Sequence, residues 1–249
     1  MTRGRSIPRP SCRQCPLRRS EAFKAISGRA LGFLSRLKVD HIATPQGHEL
    51  IRAGDVNPRL YTLYRGWAFR YKTLSDGRRQ ILNFLLPGDL IGVQANMFDA
   101  SPHAVEALTD AEFCVFSRRR LWDLYANFPE LAFDITWLTA HEEGMVDDNL
   151  LSVGRRSAAE RVAALLMQLY KRAQGLGLVE KDGLLLPITQ QHIADALGIS
   201  LVHTNKTMRR LVRIGLFQYR RSRLQLTDPH ALERLADYFE APLPPRPLI

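Results

Sequence analysis

Between residues 189 and 217, apolar positions recur with the period of two short helices joined by a turn. Thr189 is placed to cap the first helix. Gly198 is placed to end it, because glycine adopts the left-handed conformation at little cost. Ser200 is placed to cap the second helix. The residues predicted to face the core are Ile193, Ala194, Leu197, Leu201, Thr204, Met208 and Leu211. The pattern predicts a helix-turn-helix.

The opposite side of the second predicted helix is polar and strongly basic. A short helix that is braced by another and offers cations and an amide suits the DNA major groove. We therefore predict DNA binding, and the alternative is a helical hairpin with a solvated basic side. The predicted contacts from this motif are Thr189, Gln190, Ser200, Val202, His203, Asn205, Lys206, Arg209 and Arg210.

Two strand-like segments, residues 217–219 and 223–226, follow the helix pair. They predict a β-hairpin with cations at its tip, which is the wing of a winged helix. Arg220, Arg221 and Arg223 are predicted to contact DNA phosphates. Such contacts position a protein on DNA without selecting a sequence.

From Val39 to Ser117 the periodicity is that of strands. Turn signals recur about every 8–12 residues, which is typical of an antiparallel sandwich or barrel. Asp76-Gly77 lies between two apolar segments and is a strong hairpin signal. The predicted fold class is α+β. It combines an N-terminal antiparallel β sandwich or barrel, a long helix and the C-terminal winged helix-turn-helix.

Helical periodicity returns after Arg118, and one long helix is predicted from Pro129 to Val153. A helix of about 25 residues is roughly 37 Å long, which is more than a compact domain needs. We therefore predict a coiled-coil contact with a second copy. Packing of the helix on its own domain is the alternative. The predicted dimer contacts are Leu131, Ile135, Leu138 and Met145.

These elements divide the chain into five parts. Residues 1–20 are predicted to be a basic flexible arm, and residues 240–249 a disordered proline-rich tail. Residues 21–128 form the predicted sensor domain. Residues 129–153 form the dimerisation helix, and residues 154–239 the DNA-binding domain.

Charge is distributed unevenly over the 249 residues, whose net charge is +10. Residues 1–19 hold six arginines and no acidic residue, residues 20–153 are mildly acidic, and residues 154–234 hold 14 basic against 6 acidic residues. This distribution suits a sensor joined to a nucleic-acid reader. No apolar run reaches the roughly 18 residues of a membrane span, and no secretory signal is evident. We therefore predict a cytoplasmic protein without a membrane partner.

The chain has three cysteines, Cys12, Cys15 and Cys114. An odd number cannot all pair with one another, which argues against a disulfide framework. Cys12-x-x-Cys15 has a spacing that can share a metal ion, but a closed site needs about four ligands. The simpler interpretation is that these thiols bind no metal and have no redox role. Cys114 is then a small core residue of a strand. No phosphate-loop, zinc-protease or hydrolase motif is present, so we do not predict an enzyme.

Three segments resemble the Crp/Fnr family of bacterial transcription regulators: LPITQQHIADALGISLVHTNKTMRRLVRIGLF, LLPGDLIGV and FSRRRLWDLYANFPEL. The resemblance covers nearly the whole chain, from Phe23 to Phe239. It implies that the N-terminal β domain is a β-roll or jelly-roll sensor domain like those that bind cyclic nucleotides. It also implies a homodimeric regulator that binds a palindromic operator on double-stranded DNA. RNA polymerase and a small effector are the further partners that it implies.

The implied effector pocket departs from the cyclic-nucleotide binders of that family. Those binders place a Gly-Glu pair at the ribose and an arginine at the cyclic phosphate. Here the first place reads Ile91-Gly92-Val93-Gln94 and the second Ser101-Pro102-His103-Ala104-Val105. A neutral imidazole is a poor substitute for a fixed positive charge. We therefore expect little or no control by cyclic AMP. The candidate pocket residues are Val93, Gln94, His103 and Ala104.

Two further departures concern the cysteines and the recognition helix. The three cysteines resemble positions of the iron–sulfur branch, whose third arm cysteine has no counterpart within residues 17–21. A redox- or iron–sulfur-sensing regulator is one alternative, and a cyclic-nucleotide-binding module without a DNA role is another. Val202 and Lys206 replace a glutamate and an arginine of relatives that read the best-known half-sites. The expected target is a related palindrome with different inner bases.

Overall fold

The computed structural model describes residues 4–56, 59–94, 100–238 and 245–249. They form two compact units. The first unit combines Met1–Lys72, Phe84–Glu143 and Pro244–Ile249. The second combines Thr73–Asn83 and Gly144–Leu243.

Two sheets contain the strands of the first unit, and residues 79–83, which belong to the second unit, also take part in one of them. The five-stranded sheet has the order β1 (Arg5–Ser6), β2 (Lys38–Thr44), β9 (Ala111–Ser117), β4 (Arg59–Arg65) and β7 (Leu90–Ile91). The four-stranded sheet has the order β3 (Glu49–Ile51), β8 (Ala104–Ala107), β5 (Ala68–Thr73) and β6 (Arg79–Leu85). The turn at Asp76-Gly77 joins β5 to β6, as the hairpin signal predicts, with Gly77 at φ 86°.

Strand alternation divides the apolar residues of this unit between two cores. Tyr61, Phe113 and Val115 point into the space between the sheets, where they meet Val105 and Leu85 of the four-stranded sheet. Their neighbours along the strands point to the opposite face of the five-stranded sheet. That face is covered by α1 (Gly28–Leu37), α2 (Leu121–Asn127) and the first half of α3 (Pro129–Arg155).

The long helix predicted from Pro129 is present as α3, which has 27 residues. The prediction that Leu131, Ile135, Leu138 and Met145 contact a second copy is wrong, because all four are buried within the chain itself. Leu131, Ile135 and Leu138 pack into the core cluster that covers the five-stranded sheet. Their spacing places them on one side of the helix. That side packs on the helix's own domain, which is the alternative given above.

The two terminal segments predicted to be flexible or disordered are ordered where the structure describes them. Arg5 and Ser6 extend the five-stranded sheet as β1, paired with Ala43 and Ile42 of β2. Residues 247–249 of the tail are buried in the first unit. Predicted disorder is therefore wrong for these parts, while residues 1–3 and 240–244 lie outside the described residues. Long-range contacts order segments whose composition favours disorder.

The second unit contains four further helices and a small sheet. The helices are α4 (Ala158–Gly175), α5 (Gln190–Leu197), α6 (Leu201–Arg213) and α7 (Pro229–Ala236). The sheet has the order β10 (Val179–Glu180), β11 (Gly183–Leu185), β13 (Arg223–Leu226) and β12 (Phe217–Arg220). Helix α4 begins at a capping box in which Ser157 and Glu160 satisfy each other's backbone donors. Across the described part of the chain, no helix combines the length and the apolar character that a membrane crossing requires.

Candidate nucleic-acid interface

Local capping positions the two helices of the predicted motif. Thr189 Oγ1 accepts a hydrogen bond from His192 N, and Thr189 N donates back to His192 Nδ1 at 3.1 Å. Gly198 ends α5 with φ 64°, as expected for a left-handed C-terminal residue. Ser200 Oγ accepts from His203 N at 3.2 Å and so begins α6. The side-chain oxygens of Thr189 and Ser200 therefore act first as caps, and their hydroxyl hydrogens stay available for donation to a phosphate.

Helix α6 presents one exposed stripe opposite its buried side. Val202, Lys206, Arg209 and Arg213 follow one another at intervals of 4, 3 and 4 residues, and all four are exposed. Among the described residues, none of the three cations has an ion pair, so their charges are available to a polyanion. His203 and Arg210 are exposed beside this stripe, and Asn205 is half-buried at its edge. Arg213, which the motif alone does not single out as a contact, completes the basic surface.

One core assignment on α6 is wrong. Leu201 was predicted to face the core, but its side chain is exposed, and Thr207 is buried in its place. Leu201 is the first residue of the helix, directly after the Ser200 cap. Because the helix begins at Leu201, this side chain lies outside the core that covers the later turns.

The wing is a two-residue hairpin in which both central residues have left-handed backbone conformations. Arg221 has φ 49° and Ser222 has φ 61°. This conformation costs non-glycine residues about 1–2 kcal/mol each. A hydrogen bond from Leu186 N to Ser222 O of 2.8 Å helps to hold the turn. Strain of this kind is concentrated at functional sites, and here it leaves Arg220 and Arg221 exposed at the tip.

Arg223 behaves differently from its two neighbours in the wing. Its guanidinium donates to Asp182 Oδ1 at 2.7 Å and to Glu180 Oε2 at 3.1 Å. These two carboxylates neutralise the charge that a phosphate contact would use. We therefore assign Arg223 to bracing β13 against the β10–β11 turn and keep Arg220 and Arg221 as the candidate phosphate contacts.

Two models of known protein families match separate parts of the chain. Residues 42–128 match the model of the cyclic nucleotide-binding domain, and residues 160–235 match that of the Crp-like helix-turn-helix domain. The chain is 33% identical over 194 residues to the nitrogen fixation regulation protein FixK of Rhizobium meliloti, covering 77% of this chain and 84% of that protein. The chain belongs to the Crp/Fnr family of transcription regulators.

Two further similarities support the family. The transcriptional activatory protein AadR of Rhodopseudomonas palustris is 32% identical over 197 residues, covering 79% of this chain and 81% of AadR. The structure of FixK2 from Bradyrhizobium japonicum superposes with a TM-score of 0.70 at 27% identity, over 82% of this chain and 98% of FixK2. The present chain is thus a DNA-binding regulator of the Crp/Fnr type and not an enzyme. The α+β fold class with its winged helix-turn-helix is confirmed.

In the first unit of this Crp/Fnr regulator, the candidate effector residues lie at two different sheets: His103 and Ala104 at β8 of the four-stranded sheet, and Val93 and Gln94 shortly after β7 of the five-stranded sheet. Ala104 begins β8 and is buried, as is His103 directly before it, while Val93 and Gln94 are half-buried. Burial, together with the positive charges of Arg70 and Lys72, lowers the pKa of His103 to about 4. His103 is therefore neutral near pH 7 and supplies no fixed charge to a phosphate. This supports the expectation that cyclic AMP does not control this regulator.

We predict that His103 makes stability fall as the pH is lowered from about 6.5 to 4. The unfolded chain takes up a proton at His103 near pH 6.5, whereas the folded chain does so only near pH 4. Acid therefore favours the unfolded state, by up to about 3 kcal/mol. Urea unfolding across this pH range should show a flatter profile for His103→Gln. His230→Gln, at an exposed histidine, is the control, and equal profiles for both variants would contradict the assignment.

The three cysteines of this regulator line one cavity in the first unit, together with Lys38, Tyr64 and other residues. The cavity has a volume of about 20 Å³, which is room for about one water molecule and not for an iron–sulfur cluster. No group of three or more His, Cys, Asp or Glu side chains in the described part of the chain is arranged to hold a metal ion. The residues present therefore do not fit the cluster that the iron–sulfur branch implies.

Proposed function

We propose that this Crp/Fnr regulator binds palindromic operators as a homodimer in the cytoplasm. The observation that carries the proposal is the exposed stripe of α6, where Lys206, Arg209 and Arg213 lie without ion pairs among the described residues. Two such helices in a symmetric dimer meet half-sites about one helical turn apart. A small effector other than cyclic AMP and RNA polymerase complete the proposed set of partners.

The dimer contact that we propose lies on the exposed side of α3, opposite the residues first predicted. Phe133, Ala140, Gly144 and Leu151 recur at intervals of 7, 4 and 7 residues and are all exposed. The Phe133 side chain is 66% exposed, which is unusual for a large apolar residue. Ala140 and Gly144 lie between the two large residues, and a Cβ at Gly144 would have no neighbour within 4 Å beyond the adjoining residues and the backbone of its own helix. This stripe allows two helices to pack closely.

Selection of bound duplexes from a random pool tests the proposed function. The expected product is a palindrome whose half-site centres lie about 10 base pairs apart. Phe133→Asp should shift the protein from dimer to monomer in analytical ultracentrifugation, and it should reduce recovery of the palindrome. Leu185→Asp is the matched control at an exposed leucine of β11. If the protein without substitutions is a monomer and selects single half-sites, the proposed homodimer is wrong. If it selects no preferred sequence, the proposed operator binding is wrong.

A further inference from the structure

The segment Pro245–Ile249 docks on the first unit by its main chain. Arg246 N donates to Ala22 O at 2.9 Å, and Lys24 N donates to Arg246 O at 3.0 Å. Phe23 and Arg246 thereby form a parallel β-bridge. The segment is extended, and its contacts are made with parts of the chain that are remote in sequence. We call these five residues the strap.

The Arg246 side chain anchors the strap to the turn Pro87-Gly88-Asp89. Its guanidinium forms an ion pair with Asp89, donates to Pro87 O at 2.8 Å and lies 4.9 Å above the centre of the Phe23 ring. Asp89 is held in place because its other carboxylate oxygen accepts from Leu86 N at 2.8 Å. A Cβ at Gly88 would lie 2.3 Å from the Phe23 ring. Glycine at this position therefore makes room for the stacked pair of Phe23 and Arg246.

The last two residues of the strap cover the cysteine cavity. Leu248 and Ile249 are buried and line that cavity beside Cys12, Cys15 and Cys114. Thr62 Oγ1 donates to Ile249 O at 2.7 Å, and Arg18 Nη2 donates to Leu248 O at 3.2 Å. Ile249 also belongs to the core cluster that contains Cys114. The apolar end of the strap thus forms part of the cavity wall.

Cys114 is the most enclosed of the three thiols. Its side chain is 8% exposed, whereas Cys12 and Cys15 are only half-buried. Burial raises the pKa of Cys114 to about 11, so the thiol is protonated near pH 7. The Cys114 Sγ lies 3.7 Å from Nδ1 of His41, whose Nε2 lies 3.0 Å from Glu112 Oε2. A proton acceptor is therefore close to a thiol that the strap helps to keep from solvent.

We propose that the strap is a detachable cover of the cysteine cavity, and that its release opens Cys114 to thiol-directed electrophiles. The groove formed by residues 22–24, the 87–89 turn and Thr62 is a binding site for an extended peptide of the sequence Pro-Arg-Pro-Leu-Ile. Opening the cavity hydrates the thiol and exposes it, and both changes raise its reactivity. In the reaction with an activated alkene, the sulfur adds to one carbon and the thiol proton passes to the other. No oxidant or metal is needed.

The test measures the rate at which N-ethylmaleimide labels each cysteine of the full-length protein, read by peptide mass spectrometry. Deletion of residues 245–249 should accelerate labelling of Cys114 at least about tenfold. Cys12 and Cys15 should change less, because they are already partly exposed. Arg246→Ala should act in the same direction through loss of the Asp89 ion pair. Arg79→Ala is the matched control, because it removes the half-buried ion pair with Asp195 in the second unit.

A synthetic peptide, Pro-Pro-Arg-Pro-Leu-Ile, separates release of the strap from general unfolding. Added to the protein that lacks residues 245–249, it should restore slow labelling of Cys114 in a saturable manner. The same peptide with alanine in place of arginine should not. Unchanged labelling after deletion would overturn the proposal. So would accelerated labelling that the peptide fails to reverse, because it would show that the deletion loosened the fold.

Discussion

Replacing Phe217 with alanine is expected to lower the free energy of unfolding of the second unit by about 3–5 kcal/mol. The Phe217 ring is fully buried at the first position of β12, opposite Leu226 of β13. Truncation removes apolar contacts and leaves a cavity that the surrounding backbone fills only in part. Because β12 packs against α6, we expect affinity for DNA to fall together with stability. Urea unfolding and DNA titration measure the two effects.

Leu185→Ala is the matched control for Phe217→Ala. Leu185 belongs to the same sheet, in β11, but its side chain is 52% exposed. Its truncation should change the free energy of unfolding by no more than about 0.5 kcal/mol. Equal losses in the two variants would show that the ring of Phe217 does not support the recognition helix in the way the structure indicates.

Replacing Lys206 with alanine is expected to weaken binding to the selected operator by about 1–3 kcal/mol, or roughly 5- to 150-fold in affinity. Lys206 is exposed in the second turn of α6, and its ammonium group suits O6 and N7 of a guanine in the major groove. Removal of a base contact costs more on the operator than on a scrambled duplex. Fluorescence anisotropy with both duplexes at one fixed salt concentration measures this difference.

The control for Lys206→Ala is Arg234→Ala, an exposed cation in the last turn of α7. It lies outside the helix-turn-helix and should change affinity for neither duplex appreciably. If Lys206→Ala weakens both duplexes equally, the ammonium group contacts phosphate and the selectivity must come from Val202, His203 or Asn205.

The helix-turn-helix was predictable because short-range interactions determine it. Thr189 and Ser200 cap helices whose donors lie within three residues, and Gly198 supplies a left-handed residue where α5 ends. The wing was predictable for the same reason, since two strands and a two-residue turn form a local unit. The sequence does not predict which of the basic side chains are free to contact DNA and which are paired within the chain. Arg223 pairs with Glu180 and Asp182, which are 43 and 41 residues earlier in the chain, respectively.

The long helix shows where local reasoning ends. A stripe of apolar residues is visible in the sequence, but the same stripe suits a partner chain or the helix's own domain. Leu131, Ile135 and Leu138 are covered by the domain, which leaves Phe133 and Leu151 exposed. Which surface covers the helix depends on how the outer face of the five-stranded sheet is packed. The pattern of residues within the helix does not contain this information.

The sequence by itself determined the family, the order of the domains, the position of the recognition helix and the loss of the nucleotide anchors at Gln94 and His103. Each of these rests on residue type at a fixed position or on short-range periodicity. Only the tertiary structure decided which apolar side of α3 is covered, that Arg223 is neutralised, and that the proline-rich end of the chain lines the cysteine cavity. The ion pair between Arg246 and Asp89 joins residues 157 positions apart. Such contacts exist only after the sheet, the arm and the tail have been brought together, because their energies depend on burial that the finished fold creates.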